Sequence, residues 1–142
     1  MASVEKSIII NKPAEEVWAF LSDTSHWESW FSGLGGIRVT SGDGGAGTTV
    51  EANISLANIP LPTKLQVVEA VPGSHWKAAF SSPGAQGTMS WLYRPMGERT
   101  EITFKIDADL KGAAKLAGGM ITKNFDDIAE KTLQKIKAHL ES

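Results

Sequence analysis

A chain of 142 residues suits one domain, able to bury about two-thirds of its unfolded surface in a single core. With a net charge of -2 and 21% charged residues it has no basic excess, so the electrostatic footprint of nucleic-acid binding is missing. The lack of cysteine excludes disulfides, thiolate metal sites and cysteine nucleophiles together. No run of about eighteen apolar residues occurs, and Met1-Ala2-Ser3-Val4-Glu5-Lys6 has no signal-peptide layout, so a reducing cytoplasm is the expected location. The aromatic content is unusual, with five Trp and five Phe beside one Tyr.

Val4 to Ile10 reads as a first strand, made β-branched by Ile8-Ile9-Ile10. Lys12-Pro13 then starts a helix, because proline's missing N–H is harmless in the first turn. Glu15 and Glu16 sit where the helix dipole favours carboxylates, and Val17, Trp18, Phe20 and Leu21 form the buried side. Ser22-Asp23-Thr24 breaks this helix. Ser25-x-x-Glu28 has capping-box form before a second short turn, Trp27 to Phe31, which Gly33, Gly35 and Gly36 end.

From Ile37 to Leu110 the apolar period is two. Ile37 and Val39 alternate with polar residues, and a glycine-rich turn follows from Gly42 to Gly47. Val50, Ala52, Ile54 and Leu56 mark the next strand. Ala57-Asn58-Ile59-Pro60-Leu61-Pro62 connects it to a strand near Thr63–Val71, and Pro72-Gly73 turns the chain. Trp76, Ala78 and Phe80 alternate in one strand, Met89, Trp91 and Tyr93 in the next, and Ile102, Phe104, Ile106 and Ala108 in the last. Six hairpin-linked strands after the first one predict a seven-stranded antiparallel sheet with one apolar face, in a single α+β domain spanning 1–142.

The C-terminal segment supplies the cover for that face. Lys111 to Met120 leads into a long amphipathic helix over Ile121–Leu140, with apolar residues at three-and-four spacing. At roughly 100° per residue, Leu116, Ala117 and Met120 point about 130° away from Leu133, Ile136 and Leu140. The direction changes near Gly118-Gly119, a pair costing the helix about 1 kcal/mol per residue relative to alanine. A ligand is therefore expected beneath the first half of the helix, and firm packing beneath the second.

Taking the apolar member of each alternation as inward, the concave face is wide, aromatic and nearly free of ionisable groups. Ligand pockets have this makeup. Ile54, Leu56, Trp76, Phe80, Met89 and Trp91 are its expected ligand-facing residues, joined by Trp30, Tyr93, Phe104, Leu116 and Met120. Tyr93 and the indoles of Trp76 and Trp91 offer the hydrogen-bonding groups. The alternative from the same residues is a solid aromatic core. The apolar stretch around Ile59 and Leu61, with Gly118 and Gly119 opposite, is the expected gate. Lys111, Lys115 and Lys123 stand near that end and suit an anionic head group or transient membrane contact.

Asn11-Lys12-Pro13-Ala14-Glu15-Glu16-Val17-Trp18-Ala19-Phe20-Leu21-Ser22-Asp23, followed by Trp27-Glu28-Ser29-Trp30, resembles the opening of the START-like polyketide cyclase/dehydrase and lipid-transport (SRPBCC) superfamily. The closing stretch from Gly112 to Leu140 is similar to the last helix of its members associated with carbon monoxide dehydrogenase. The resemblance implies a helix-grip fold, with a curved sheet wrapped on the long helix. It also implies a hydrophobic ligand such as a lipid, polyketide or quinone, held as by a carrier or sensor without a cofactor. Two other roles come with the resemblance: a cyclase, aromatase or dehydratase, and a ligand-free module like the chaperone-activator relatives of this fold.

Other chemical signals are weak. Gly42-x-Gly44-x-x-Gly47 has the string of a dinucleotide fingerprint, but a strand follows where the pyrophosphate needs a helix. His26, His75 and His139 lack metal-ligand spacing, so no metal is expected. For catalysis the candidates are Glu69, His75 and Tyr93. Glu69 shares the inward parity of Leu65 and Val67 unless a bulge rotates it, while His75 lies on the outward parity beside the cavity strand.

Overall fold

The period-two alternation becomes the two faces of one curved sheet. The computed structural model describes residues 2–43, 45–56, 59–116 and 118–141, with the backbone alone for Leu56 and Ala113. The chain runs β1 (Ala2–Ile10), α1 (Ala14–Ser22), a 3-10 turn (Thr24–His26) and α2 (Trp27–Trp30). It continues through β2 (Leu34–Ser41), β3 (Thr49–Leu56), β4 (Ile59–Val71), β5 (His75–Ser82), β6 (Ala85–Met96) and β7 (Arg99–Leu110) to α3 (Ala113–Leu116) and α4 (Gly118–Glu141). Among the described residues the strands form a seven-stranded sheet in the order β1-β7-β6-β5-β4-β3-β2, with every neighbouring pair antiparallel. This is the helix-grip α+β architecture.

The inward parity holds along the central strands, where Trp76, Ala78, Phe80, Met89, Trp91, Ile102, Phe104 and Ile106 are all buried. One register shift interrupts it. Val67 pairs with Ala78 but Glu69 pairs with Lys77, so Val68 is an extra residue and β4 is bulged there.

Two local expectations change. The capping box does not form, because the Asp23 carboxylate accepts from the Ser25 N–H at 3.0 Å and from its hydroxyl at 2.7 Å. Glu28 is thereby left to accept from the Ile37 N–H at 3.1 Å, which ties α2 to the edge strand β2. The stretch expected to connect β3 and β4 is mostly strand, with Leu56 paired to Ile59 and Ile54 to Leu61. Ala57 and Asn58 lie outside the described residues. Pro60 and Pro62 are tolerated because pairing with β5 begins only at Lys64, so this end of β4 has a free edge.

The last helix buries Ile121, Phe125, Ile128, Ala129, Leu133 and Ile136 on one side. Thr132 is buried among them, and its hydroxyl accepts from the Ser32 N–H at 3.0 Å. The far end of α4 is latched to the end of β1. Lys137 Nζ donates to the Ile9 carbonyl at 2.8 Å and lies 2.7 Å from the Glu141 carboxylate, which also accepts from the Asn11 N–H at 3.0 Å. At the near end the Lys111 N–H donates to the Gly84 carbonyl at 2.8 Å, seating the start of α3 on the β5–β6 turn.

The latch is pH-dependent. Hydrogen bonds from Lys137 and the Asn11 backbone hold the Glu141 carboxyl below its usual range. A depressed carboxylate stabilises the fold above its unfolded pKa, about 4.3 for Glu, and the contribution is lost as pH falls through the folded value. The melting temperature of Glu141→Gln should therefore lie below that of the parent at neutral pH, and the gap should close in acid.

Candidate ligand site

The four residues of α2 place Trp27 and Trp30 one turn apart, so both indoles enter the concavity from the same side. Trp30 meets Trp91 edge-on at 5.6 Å and 83°, while Trp27 meets Trp76 edge-on at 5.7 Å and 83°. Trp91 stacks on Phe104 at 4.1 Å and 4°, and Phe31 meets the other side of this group, 5.8 Å from Phe104. These offset and edge-on contacts are the favoured aromatic geometries.

The concavity is divided. A first cavity of about 10 Å3 lies beneath α1 and α2, between Trp18, Trp27, Trp30, Trp76, Trp91 and Tyr93. A second of about 30 Å3 lies beneath the first half of α4, between Ile54, Leu61, Phe80, Phe125 and Ile128. Phe31 and Met89 line both and form the partition. A water needs about 10–15 Å3, so the first cavity holds one at most and the second about two. The expected single hollow beneath the front of α4 is thus closed in this conformation, because rings from α2 fill its centre.

The indole nitrogens are used unequally. Trp27 Nε1 donates to the Leu21 carbonyl at 2.9 Å, which fastens α2 to α1. Trp30 Nε1 and Trp76 Nε1 are buried with no hydrogen-bond partner among the described residues. Burial alone pushes the Tyr93 hydroxyl well above the ordinary tyrosine value, so it is neutral. Among the described residues no charged side chain lines either cavity.

Trp30, Trp76, Met89, Trp91 and Tyr93 come together at the first cavity, as do Ile54, Phe80 and Met89 at the second. Phe104 is fully buried behind Trp91 and lines neither. Leu116 and Met120 are corrected: they are 93% and 59% exposed, because the inward stripe of α4 begins only at Ile121. Of the expected gate, Leu61 reaches the second cavity and Ile59 is 59% exposed. A Cβ on Gly118 would touch only Leu110, at 3.7 Å, and one on Gly119 would meet nothing within 4 Å. The Leu56 side chain lies outside the described residues.

Glu69 and His75 line neither cavity: His75 lies on the outward parity expected of it, and Glu69 is corrected from the inward parity of Leu65 and Val67. The bulge at Val68 turns Glu69 to the outer face, where its carboxylate lies 2.9 Å from His75 Nε2. The residues missed at the first cavity are Trp18, Leu21, Ser22, Trp27 and Phe31 of the α1–α2 segment and Leu65 of β4, and those missed at the second are Ser82, Ala85, Ile106, Phe125 and Ile128. The signal for Trp27 and Phe31 was the Trp27-x-x-Trp30-Phe31 spacing. On the outer face a shallow groove of about 610 Å3 is lined by Arg38, Glu51, Asn53 and Lys64, but Arg38 and Glu51 neutralise each other at 2.7 Å. Among the described residues no cluster of three His, Asp or Glu could hold a metal, and no helix is long and apolar enough to cross a membrane.

A curved sheet closed by a long helix, with apolar side chains between them, defines the helix-grip class. The chain belongs to the polyketide cyclase / dehydrase and lipid transport family, whose model matches residues 1–141. Its fold is similar to that of the Zhui aromatase/cyclase from Streptomyces sp. R1128, at TM-score 0.87 and 16% identity over 98% of this chain and 93% of that one. A START superfamily protein from Mycobacterium smegmatis is similar at TM-score 0.85 and 14% identity, over 99% and 98% of the two chains. Ginseng major latex-like protein 151 from Panax ginseng is similar at TM-score 0.76 and 14% identity, over 99% and 97%. No curated protein sequence matches the chain. The finer likeness to the members associated with carbon monoxide dehydrogenase has no support among these matches.

The chain has one tyrosine, which makes its ionisation readable by absorbance. Raising the pH through the ordinary tyrosine value, about 10, should give no phenolate band until the protein unfolds. A band appearing in the folded protein near that value would place the Tyr93 hydroxyl in water.

Proposed function

We propose that the domain is a binding or carrier protein that encloses a hydrophobic small molecule between the sheet and its two helical covers. The observation that carries this reading is the character of the two cavities: mostly apolar walls, no charged side chain among the described residues, and one shared partition made by Phe31 and Met89. Membership of a family described by polyketide cyclisation and lipid transport supports it. Burial of apolar ligand surface at roughly 25 cal/mol per Å2 supplies the driving force. Entry requires Phe31 and Met89 to turn aside, and the unbranched thioether of Met89 suits that role. Transient contact with a membrane during loading would use the exposed Leu116 and Met120 beside Lys115 and Lys123.

The small cavity volumes favour a second reading, a ligand-free interaction module with a solid core. Catalysis has less in its favour. An acid–base cyclase or dehydratase needs a titratable group at the ligand, and among the described residues lining the cavities only Tyr93 titrates.

Native mass spectrometry of freshly purified protein and titration with an environment-sensitive lipophilic dye separate the two readings. The carrier predicts a co-purified lipophilic mass or saturable dye binding at one site. Ala85→Leu, which fills the second cavity at a cost of about 1–3 kcal/mol in stability, should weaken dye binding. Gly119→Leu should leave it unchanged, since that position faces open space. A folded parent protein with neither bound mass nor dye affinity would establish the ligand-free module instead.

A further inference from the structure

The bulge in β4 sets a carboxylate beside an imidazole. Without the extra residue Val68, Glu69 would keep the inward parity of Leu65 and Val67; with it, Glu69 takes Lys77 as its register partner on the outer face. There its carboxylate lies 2.9 Å from His75 Nε2, while the other ring nitrogen, Nδ1, lies 3.2 Å from the Ser74 hydroxyl. A carboxylate only accepts, so Nε2 carries the proton and Nδ1 of the neutral ring keeps a lone pair. The Ser74 hydroxyl therefore donates to Nδ1. Serine, imidazole and carboxylate stand in one hydrogen-bonded line, the order of a nucleophile, its base and the group that orients the base.

The serine is fixed at its backbone. Its N–H donates to the Val71 carbonyl at 2.9 Å and its carbonyl accepts from the Tyr93 N–H at 2.8 Å, in a tight turn that Gly73 makes at φ 72°. Ser74 and Glu69 are exposed and His75 is half-buried, so a solute reaches the line from solvent. His75 is the register partner of Val71 on one side and of Leu92 on the other, and each of these is 45% exposed. An aliphatic group lying across either one leaves water, which favours a short acyl chain beside the serine.

The geometry points to a second site, on the face of the sheet opposite the cavities: a Ser74–His75 pair, oriented by Glu69, that transfers short apolar acyl groups from aryl esters to water. The Ser74 oxygen bonds to the ester carbonyl carbon as its proton passes to His75 Nδ1, and Glu69 holds the imidazolium that results. The bond from that carbon to the phenol oxygen then breaks, and the phenol leaves with the proton from Nδ1. Water attacks the acyl-serine through the same base, which releases the carboxylic acid and restores the serine. A phenol departs readily, so its esters are the class that this relay opens without further help. The site uses no side chain that lines a cavity and is independent of the carrier reading.

The test is hydrolysis of p-nitrophenyl acetate and p-nitrophenyl butyrate by the full chain, followed by absorbance, with peptide mapping of acid-quenched protein. The parent should exceed the buffer rate, saturate with substrate, and carry the acyl group on Ser74. Ser74→Ala and His75→Gln should each lower kcat/KM by about tenfold or more. Glu69→Gln should lower kcat about fivefold with KM unchanged, the split expected of a residue that positions the base and touches no substrate. Leu92→Ser should raise KM for the butyrate about threefold and leave the acetate unchanged. All four side chains lie outside the core, so a melting curve like the parent's is expected of each variant. A parent rate no greater than that of buffer, or a Ser74→Ala protein that keeps the parent rate with the acyl group on His75 or a lysine, overturns the inference and leaves the carrier reading standing.

Discussion

The stack of Trp91 on Phe104, 4.1 Å apart and nearly parallel, fixes where every other group in the concavity lies. It joins β7 and β6, the second and third strands from the β1 edge, where the two residues are register partners. Trp30 meets Trp91 edge-on, and Phe31 meets Phe104 edge-on. Those two contacts seat α2, and α2 in turn carries α1 through the Trp27–Leu21 hydrogen bond. The division of the interior into an aromatic and an aliphatic space falls at Phe31 and Met89, beside this pair of rings.

Polar interactions are arranged around that interior and keep out of it. Lys6 pairs with Asp126 and Glu130 across β1 and α4, Arg94 with Glu101 across β6 and β7, and Glu69 with His75 outside the bulge. Such exposed pairs contribute little individually, a median of about 0–1 kcal/mol. Their effect is on register and on seating of the helix, while apolar burial supplies the stability.

Much of this is legible in the sequence because a sheet face is a period-two pattern and a helix face a three-and-four pattern. Parity alone places Trp76, Phe80, Met89, Trp91 and Tyr93 inward, and helical spacing buries Phe125, Ile128, Leu133 and Ile136. Parity fails where a residue is inserted, which is why Glu69 needs the Val68 bulge to be assigned. Helical phase likewise does not say where a helix leaves its sheet, so Leu116 and Met120 read as lining although they lie before the buried stripe begins. The α1–α2 cover is the hardest part. A four-residue helix has too few positions to show a period, and only the spacing of Trp27, Trp30 and Phe31 hints that it enters the concavity. Whether inward rings meet or leave a hollow depends on distances that no pattern encodes.

The central claim is that these two spaces are halves of one ligand site, closed by Phe31 and Met89. A crystal structure of the protein grown with a chain-bearing lipophilic compound tests it most directly. The account predicts continuous ligand density crossing from the aromatic to the aliphatic space, with Phe31 and Met89 displaced and the Trp91–Phe104 stack intact. Density confined to the outer face of the sheet, or an interior unchanged at saturating ligand, would contradict it.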